Sequence, residues 1–413
     1  MTKITHSFAL SLVAAGLLAS TGVNAESVAI INATVHTSTE QGILQGASII
    51  MDEGKIIAIN PTKVEADTII DAKGQIVTAG FIGSMNQLGL VEVGAVAGSR
   101  DAGDDKAGID FDPSLAFNPR SSLIPYARKG GITRDVITPH GGDSIFAGLA
   151  SVVDLSGEFD SVSQTHAALV VNLGEQRKGS RAMSLKNLID KFEAHQQKAS
   201  KKDKKDDAKP STEDKVLTKV LAGEMPLLVS ASRASDILEL LKVKQQFKLN
   251  LVISGAQDAV VVKAQLAEAN VPVIISAMDN LPGSFDSLHA NLNNAGELEK
   301  AGVKVIFAIA GDGSHNVYQL RFDAGNAVSY GMSQQGALHA ITANVADVFG
   351  INAGRVAVGK AADLVMWNND PFELSSHVTK MFINGEEVTT ESRQDKLRDR
   401  YMAESEMPRA YTK

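Results

Sequence analysis

Short apolar runs separated by turn residues dominate the chain from residue 26 to residue 79. Within this region, ASIIMDEGKIIAI (residues 47–59) places two apolar runs on either side of Asp52-Glu53-Gly54. Two apolar strands around such a turn are typical of a β-hairpin. Because no helical pattern interrupts the region, residues 26–79 are predicted to form a small β-layer.

Beyond Phe81 the pattern changes to apolar runs that alternate with amphipathic segments such as RASDILELLKVKQQF. Apolar strands separated by helices are typical of a parallel sheet that is buried on both faces. Seven strands can be counted, and an eighth is expected, so residues 80–350 are predicted to form a (β/α)₈ TIM barrel. A doubly wound open sheet is the alternative, which the lack of a glycine-rich phosphate fingerprint after the first strand disfavours. The apolar runs, besides the one near Phe81, lie at residues 131–139, 167–174, 225–232, 249–255, 271–277 and 303–311.

The C-terminal part returns to strand-forming sequence after a predicted helix that Gly350 ends. Residues 351–391 contain ADLVMWNND and VTKMFINGEEV, and the second closes on the turn dipeptide Asn384-Gly385. A β-layer at each end of the chain predicts one small β-sandwich built from both ends. The charged tail, residues 392–413, is expected to be helical on the surface.

One highly charged stretch, residues 197–215, interrupts the barrel pattern. Its composition gives it little apolar surface to bury, so it is predicted to be a disordered loop or the frayed end of a helix. A basic docking arm is the alternative, but acidic residues alternate with the lysines.

The N-terminus has the pattern of a secretory signal peptide. Residues 1–25 contain Lys3, an apolar run and the small-x-small site VNA, so cleavage after Ala25 would leave Glu26 first. A buried N-terminal helix is the alternative. We therefore expect export to the periplasm, a compartment that the absence of cysteine also fits.

Charge and hydropathy limit the partners of the protein. The net charge of −8 over 413 residues disfavours a nucleic-acid surface. The run at the N-terminus is too short to span a membrane, and no later apolar run is long enough. We expect no nucleic-acid partner and no membrane span.

Three blocks of the sequence resemble the amidohydrolase superfamily, nearest its imidazolonepropionase-like members. They are IIDAKGQIVTAGFIGS, LAGEMPLLVSASRASDI and ALHAITANVADVFGINAGRVAVGKAADLVMW. The resemblance implies a TIM barrel with a split β-sandwich, and hydrolysis of C–N and related bonds with one or two metals, usually zinc. It implies metal ligands at the carboxyl ends of strands: an H-x-H pair, two further histidines, an aspartate and sometimes a lysine.

This chain departs from that pattern at almost every ligand position. The alignment register is left open at the lysine position and at the aspartate position. At the aspartate position, a gap-free register places Ala310 where Asp312 otherwise falls. Zinc prefers imidazole, thiolate or carboxylate, so we expect no metal centre and no cofactor. The corresponding residues are Met85 and Gln87 for the pair, Ser230 and Ser254 for the later histidines, Val170 for the lysine, and Asp312 for the aspartate.

Other polar residues are predicted at the barrel rim. His140 and Asp312 are candidates for catalysis, with Asp143 as a possible orienting group for the histidine. Arg233, His315 and Asn86 are candidates for substrate binding. Four of these candidates have a structural alternative: a turn cap for His140, a loop brace for Asp312, an ion pair for Arg233 and plain surface for His315.

One helix before the second barrel strand offers Arg120 and Arg128. Recognition of an acidic substrate is one interpretation of this pair. A solvated helix face is the other, and we favour it.

Two functions follow from this pattern. The first is a periplasmic pseudoenzyme of the amidohydrolase fold that binds a small amide-like ligand or a partner, as a homo-oligomer or paired with an active relative. The alternative is a divergent hydrolase of C–N bonds with a non-standard site. A third hypothesis is a scaffold whose pocket is closed by Met85.

Overall fold

The computed structural model describes residues 26–174, 179–201, 209–311 and 313–403. The predicted signal peptide, residues 1–25, lies outside these ranges. None of the helices within them is long and apolar enough to cross a bilayer.

Strands within the described residues form two sheets. The N-terminal strands of the sandwich are β1 (Val28–His36), β2 (Ile43–Asp52), β3 (Lys55–Ile59), β4 (Thr68–Asp71) and β5 (Ile76–Ala79). The barrel strands are β6 (Phe81–Asn86), β7 (Ile132–Ile137), β8 (Phe146–Asp154), β9 (Val162–Asn172), β10 (Leu227–Ala231), β11 (Leu251–Gly255), β12 (Val273–Ile275) and β13 (Val305–Phe307). The C-terminal strands are β14 (Leu364–Trp367), β15 (Val378–Ile383) and β16 (Glu386–Glu387).

Most helices cover the barrel. The α-helices are α1 (Leu123–Arg128), α2 (Arg181–Lys201), α3 (Thr212–Leu221), α4 (Ala234–Phe247), α5 (Lys263–Glu268), α6 (Asn294–Lys300), α7 (Leu320–Ser329), α8 (Gln334–Ala340), α9 (Ala343–Phe349) and α10 (Arg393–Met402). Short 3₁₀ helices span Ala97–Ser99, Pro113–Ala116, Ala259–Val262 and Gly313–Gln319.

The sandwich sheet joins the two ends of the chain, as the sequence predicts. β14 pairs antiparallel with β5, so that Leu364 lies opposite Ala79. On the other side of β5, β1 pairs parallel with it and antiparallel with β2. The predicted hairpin is β2–β3, and Asn384-Gly385 connects β15 to β16. A separate apolar core, which includes Ile30 and Phe382, fills this domain.

The second sheet is a nearly closed barrel with the strand order β13-β12-β11-β10-β9-β8-β7-β6. A parallel bridge between Asn86 and Gly311 brings the end of β6 to the segment after β13. Inside the barrel, apolar side chains such as Val170 and Leu228 form a packed core. The predicted TIM-barrel fold with a β-sandwich is confirmed.

One barrel strand differs from the prediction of eight parallel strands. β8 pairs antiparallel with both β7 and β9, and no helix separates it from either. All nine of its residues are buried. Its sequence, FAGLASVVD, is rich in small residues, and loops rather than helices flank it, so the alternation of strands and helices does not reveal it.

The charged stretch at residues 197–215 is only partly a loop. Helix α2 continues to Lys201, and α3 begins at Thr212. Ser211 caps α3 in a capping box with Asp214, which supplies partners for backbone N–H groups at the helix start. The start of the stretch therefore agrees with the interpretation as a helix end, the loop prediction is wrong from Thr212 onward, and residues 202–208 lie outside the described residues. The helix expected in the tail is α10.

Buried arginines fix the barrel against its neighbours. Arg134 of β7 bonds Asp363 through Nε at 2.6 Å, and its Nη2 donates to the Asn384 side chain at 2.6 Å. Arg128 is also buried and donates to the backbone carbonyls of Leu155, Ser156 and Thr389. The solvated helix face expected for Arg128 is therefore wrong, because its guanidinium serves as a structural brace.

Replacing Arg134 by Leu should destabilise the fold strongly. The change leaves the Asp363 carboxylate, 1% exposed, without its cation. Breaking a buried pair in this way costs about 3 to 5 kcal/mol. Urea unfolding measures the loss, and Lys242→Ala is the matched control, because its pair with Glu239 is exposed and should cost less than about 1 kcal/mol. Equal losses in the two variants would contradict the role given to Arg134.

Candidate functional site

A cavity of about 470 Å³ opens at the carboxyl ends of the parallel barrel strands. Residues at or just beyond the ends of β6, β7, β9, β10, β11, β12 and β13 line it. Ligand sites in barrels of this type form at this end of the strands. The open cavity contradicts the hypothesis of a pocket closed by Met85, which lines the cavity rather than filling its mouth.

The positions that correspond to metal ligands in the family converge on this cavity. Ser230 of β10 and Ser254 of β11 lie side by side in the strand register, because Ser230 pairs with Ser254. Ala310 lines the cavity, in agreement with the gap-free register, whereas Asp312 lies outside the described residues. The residues at these positions that line the cavity are Met85, Gln87, Val170, Ser230, Ser254 and Ala310.

The end of β6 has an unusual backbone that decides which side chains face the cavity. Met85 has φ of 60°, in the left-handed region that residues other than glycine rarely occupy. Its carbonyl accepts a hydrogen bond of 2.8 Å from the Gly311 N–H. The strand register shifts between Ser84 and Asn86 at this point. Met85 and Gln87 consequently face the cavity, while Asn86 between them does not.

Asn86 is buried and does not line the cavity, so the structure does not bring this substrate-binding candidate to the site. Its Nδ2 donates to both carboxylate oxygens of Asp135, each at 2.9 Å. Its Oδ1 accepts from the Leu88 N–H at 2.9 Å. These hydrogen bonds of the Asn86 side chain hold the end of β6 against β7.

Asp135 is fully buried beside Asn86. Burial raises the pKa of its carboxyl to about 7, although the hydrogen bond from Asn86 acts in the opposite direction. The protonated form is therefore favoured in the folded protein below neutral pH.

Two polar side chains at the base of the cavity have no hydrogen-bond partner among the described residues. Gln87 is 5% exposed and Ser254 is 3% exposed, and both line the cavity. Only the backbone of Gln87 is bonded, its N–H donating to Ser314 Oγ at 3.1 Å. Neither side chain is among the buried polar groups that lack both a partner and access to solvent, so their polar atoms remain accessible from the cavity, where water or a bound molecule can bond them.

His140 lies at the cavity, as expected from its place after β7. Its backbone N–H donates to the Ala102 carbonyl at 2.7 Å, and its carbonyl accepts from Asn172 Nδ2 at 3.3 Å. These bonds fix the loop while the imidazole remains exposed.

The other two candidates for substrate binding do not line the cavity. Arg233 Nη2 donates to Asp286 Oδ1 at 2.7 Å, which agrees with the alternative of an ion pair at the rim. Arg181 bonds the same carboxylate and also Asp236. His315 lies exposed on the 3₁₀ helix after residue 312, so the structure does not bring it to the site.

Sequence reasoning missed several cavity residues that follow strands. Asn172 ends β9, and Gln257 and Asp279 lie just beyond β11 and β12. Gln257 Nε2 donates to Asp279 Oδ2 at 3.2 Å. The only feature of the sequence that indicates these residues is their position just after a buried strand. Behind them, burial and the charge of Asp279 raise the pKa of Asp323 to about 7.

The donor set at this cavity does not fit zinc. Thioether, carboxamide and hydroxyl groups stand where the family has imidazoles, and they are weak zinc ligands. In the parts of the chain that the structure describes, no three histidine, aspartate or glutamate side chains are grouped to hold a metal ion.

Comparison with known families agrees with the fold. The profile described as "Amidohydrolase family" matches residues 129–388, more than half of the chain. This chain belongs to the amidohydrolase family. A search of curated proteins gave no match.

Solved structures with a similar fold come from the same superfamily. An amidohydrolase from Thermotoga maritima MSB8 has a TM-score of 0.78 and 24% identity, covering 87% of this chain and 99% of that one. An adenosine deaminase from Xanthomonas campestris with bound zinc has a TM-score of 0.54 and 15% identity, over 91% and 99%. An enamidase has a TM-score of 0.51 and 17% identity, over 89% and 97%. At these identities the likeness establishes the fold alone.

Asp135→Asn should remove part of the pH dependence of stability. An aspartate whose folded pKa is raised from 3.8 to about 7 stabilises the fold most at low pH, and stability falls as pH rises toward 7. Between pH 5 and pH 8 this one group should cost the wild type about 2 to 3 kcal/mol, which the variant should not lose.

Urea unfolding at both pH values measures this difference. Asp347→Asn is the control, since the pKa of Asp347 is lowered rather than raised. An identical pH dependence in wild type and Asp135→Asn would contradict the assignment of a buried, titrating Asp135.

Proposed function

We propose that this chain is a ligand-binding member of the amidohydrolase family whose barrel cavity works without the family's metal centre. The observation that carries the proposal is the convergence of the substituted ligand positions on one open cavity. Met85, Gln87, Ser230 and Ser254 replace metal donors with groups that can contact a small molecule but hold zinc weakly. If random mutation alone had removed the metal site, we would not expect the cavity to remain open and polar.

Gln87 and Ser254 support binding rather than a purely structural role. Both are nearly fully buried, both line the cavity, and neither is satisfied by the protein. A bound ligand that bonds them would take the place of the water that reaches these groups in the open cavity.

Hydrolysis of C–N bonds with a non-standard site is the second candidate function. Membership of the family and the exposed imidazole of His140 at the cavity favour it. Asp312, the other catalytic candidate, lies outside the described residues. Turnover of N-acyl amino acids or dipeptides that His140→Ala abolishes, and that His377→Ala, at an exposed histidine of the sandwich domain, leaves intact, would favour this function over binding alone.

The proposal also includes the compartment in which the protein acts and its partners. We place the mature protein in the periplasm, on the signal-peptide pattern of residues 1–25. A small ligand is the partner that the cavity supports best. Pairing with a second copy or with an active relative is a further part of the proposal, since symmetric pairing is common among such proteins.

The metal proposal predicts a low metal content. Purified protein, analysed for zinc, iron and manganese, should contain far less than one metal per chain, and a chelator should leave its melting temperature unchanged. The matched variant carries Met85→His, Gln87→His, Ser230→His and Ser254→His, which restores imidazoles at the convergent positions. We expect this variant to bind zinc, because imidazole is a preferred zinc ligand. Stoichiometric, chelator-sensitive metal in the wild type would overturn the proposal.

The export proposal predicts a defined N-terminus. Protein recovered from the periplasm of a bacterium that expresses the full chain should begin at Glu26. N-terminal sequencing or intact mass measures the site, and Ala25→Arg is the control, because cleavage needs a small residue at that position. An uncleaved chain that stays in the cytoplasm would show that residues 1–25 have another role.

A further inference from the structure

The base of the barrel cavity offers more than one unsatisfied polar group. Gln87 presents a carboxamide, which can both donate and accept, and Ser254 presents a hydroxyl, which can do the same. They come from β11 and from the segment after β6, so they approach a ligand from different strands. A ligand with a single polar group could bond only one of these side chains directly and would leave the other to water.

Hydroxyl and amide groups continue along the wall. Asn172, Ser232, Ser276 and Ser287 line the same cavity. Ser232 has no side-chain hydrogen bond among the described residues, and Ser276 Oγ accepts only a long bond of 3.4 Å from the Met278 N–H. Such groups match a ligand that donates and accepts at several points.

The charges around the cavity disfavour an anionic ligand. No lysine or arginine of the described residues lines it, and the nearby Arg233 is paired with Asp286. Asp279 is the carboxylate in the lining, and it already accepts a hydrogen bond from Gln257. Among the described lining residues, a ligand carboxylate or phosphate would meet this negative charge without a lysine or arginine to compensate it.

The size and the surface of the cavity narrow the ligand further. Its volume of about 470 Å³ lies in the range of roughly 300 to 1,000 Å³ that is usual for small-molecule sites. No phenylalanine, tyrosine or tryptophan of the described residues lines it, so the imidazole of His140 is the one aromatic ring that its described lining offers. Hydrogen bonding, rather than stacking, must supply the specificity.

We propose that the cavity binds an uncharged polyhydroxylated molecule of about the size of a monosaccharide, with Gln87 and Ser254 bonding its hydroxyl groups at the base. Each ligand hydroxyl donates and accepts, which matches the carboxamide and the hydroxyls of the wall. This inference rests on the proposed function, because it names the ligand class of the same metal-free cavity.

A panel of matched sugars tests the ligand class on the mature chain. Isothermal titration is performed with glucose, galactose, mannose and myo-inositol as neutral probes, and with glucuronate as the anionic match. At least one neutral probe should bind with a Kd below about 1 mM, and glucuronate should bind at least tenfold more weakly than the best neutral probe. No neutral binding below that limit, or glucuronate binding as tightly, overturns the inference.

Variants locate the binding. Ser254→Ala and Gln87→Met should each weaken the best neutral probe at least fivefold, while Ser200→Ala, on the exposed face of α2, should leave its Kd unchanged. Because Gln87→Met could disturb the end of β6, Ser254→Ala serves as the second and milder change. Unchanged affinity in both cavity variants would place the sugar elsewhere and overturn the assignment.

The two proposals fail in different ways. Tight binding of glucuronate, or of a neutral amide in place of sugars, would remove the ligand class and leave a metal-free binding protein. Stoichiometric metal with chelator-sensitive turnover would remove the proposed function itself.

Discussion

The hydrogen bonds between Asn86 and Asp135 hold the end of β6 in the conformation on which the cavity depends. Met85, with its left-handed φ, turns the chain so that Asn86 points toward β7 while its neighbours on both sides face the cavity. Such a backbone costs about 1 to 3 kcal/mol and persists only where the surroundings fix it. The two bonds from Asn86, its acceptance of the Leu88 N–H, and the bond from Gly311 to Met85 provide that fixation.

Much of the fold could be predicted from the sequence, because buried parallel strands and amphipathic helices have distinct periods. The hairpin around Glu53-Gly54 and the turn at Asn384-Gly385 could be predicted as well, since their backbones need residues that tolerate positive φ. Strand β8 could not, because its small residues and flanking loops lack the alternation that identifies the others. The helical residues from Thr212 onward in the charged stretch were missed for a similar reason: charge predicts exposure, and an exposed helix is as polar as a loop.

The residues of the candidate site could also be predicted only in part. Positions carried over from the family pattern reached the cavity, because they sit in register on adjacent strands, as Ser230 and Ser254 do. Residues chosen only for their chemistry fared less well: Asn86 is turned away, Arg233 is paired with Asp286, and His315 is on the surface. The backbone dihedral at Met85 decided the direction of Asn86, and the carboxylate of Asp286 decided the pairing of Arg233. Neither can be read from a single sequence.

The pairing of β5 with β14 has a consequence for how the molecule is assembled. About 285 positions along the chain separate Ala79 of β5 from its partner Leu364 of β14, and the two strands must lie side by side. Until the last part of the chain is available, the edge of β5 has no neighbour on that side, and exposed edges invite wrong partners. The sandwich domain, whose N-terminal strands precede the barrel in the chain, can therefore be completed only after the barrel sequence has been made.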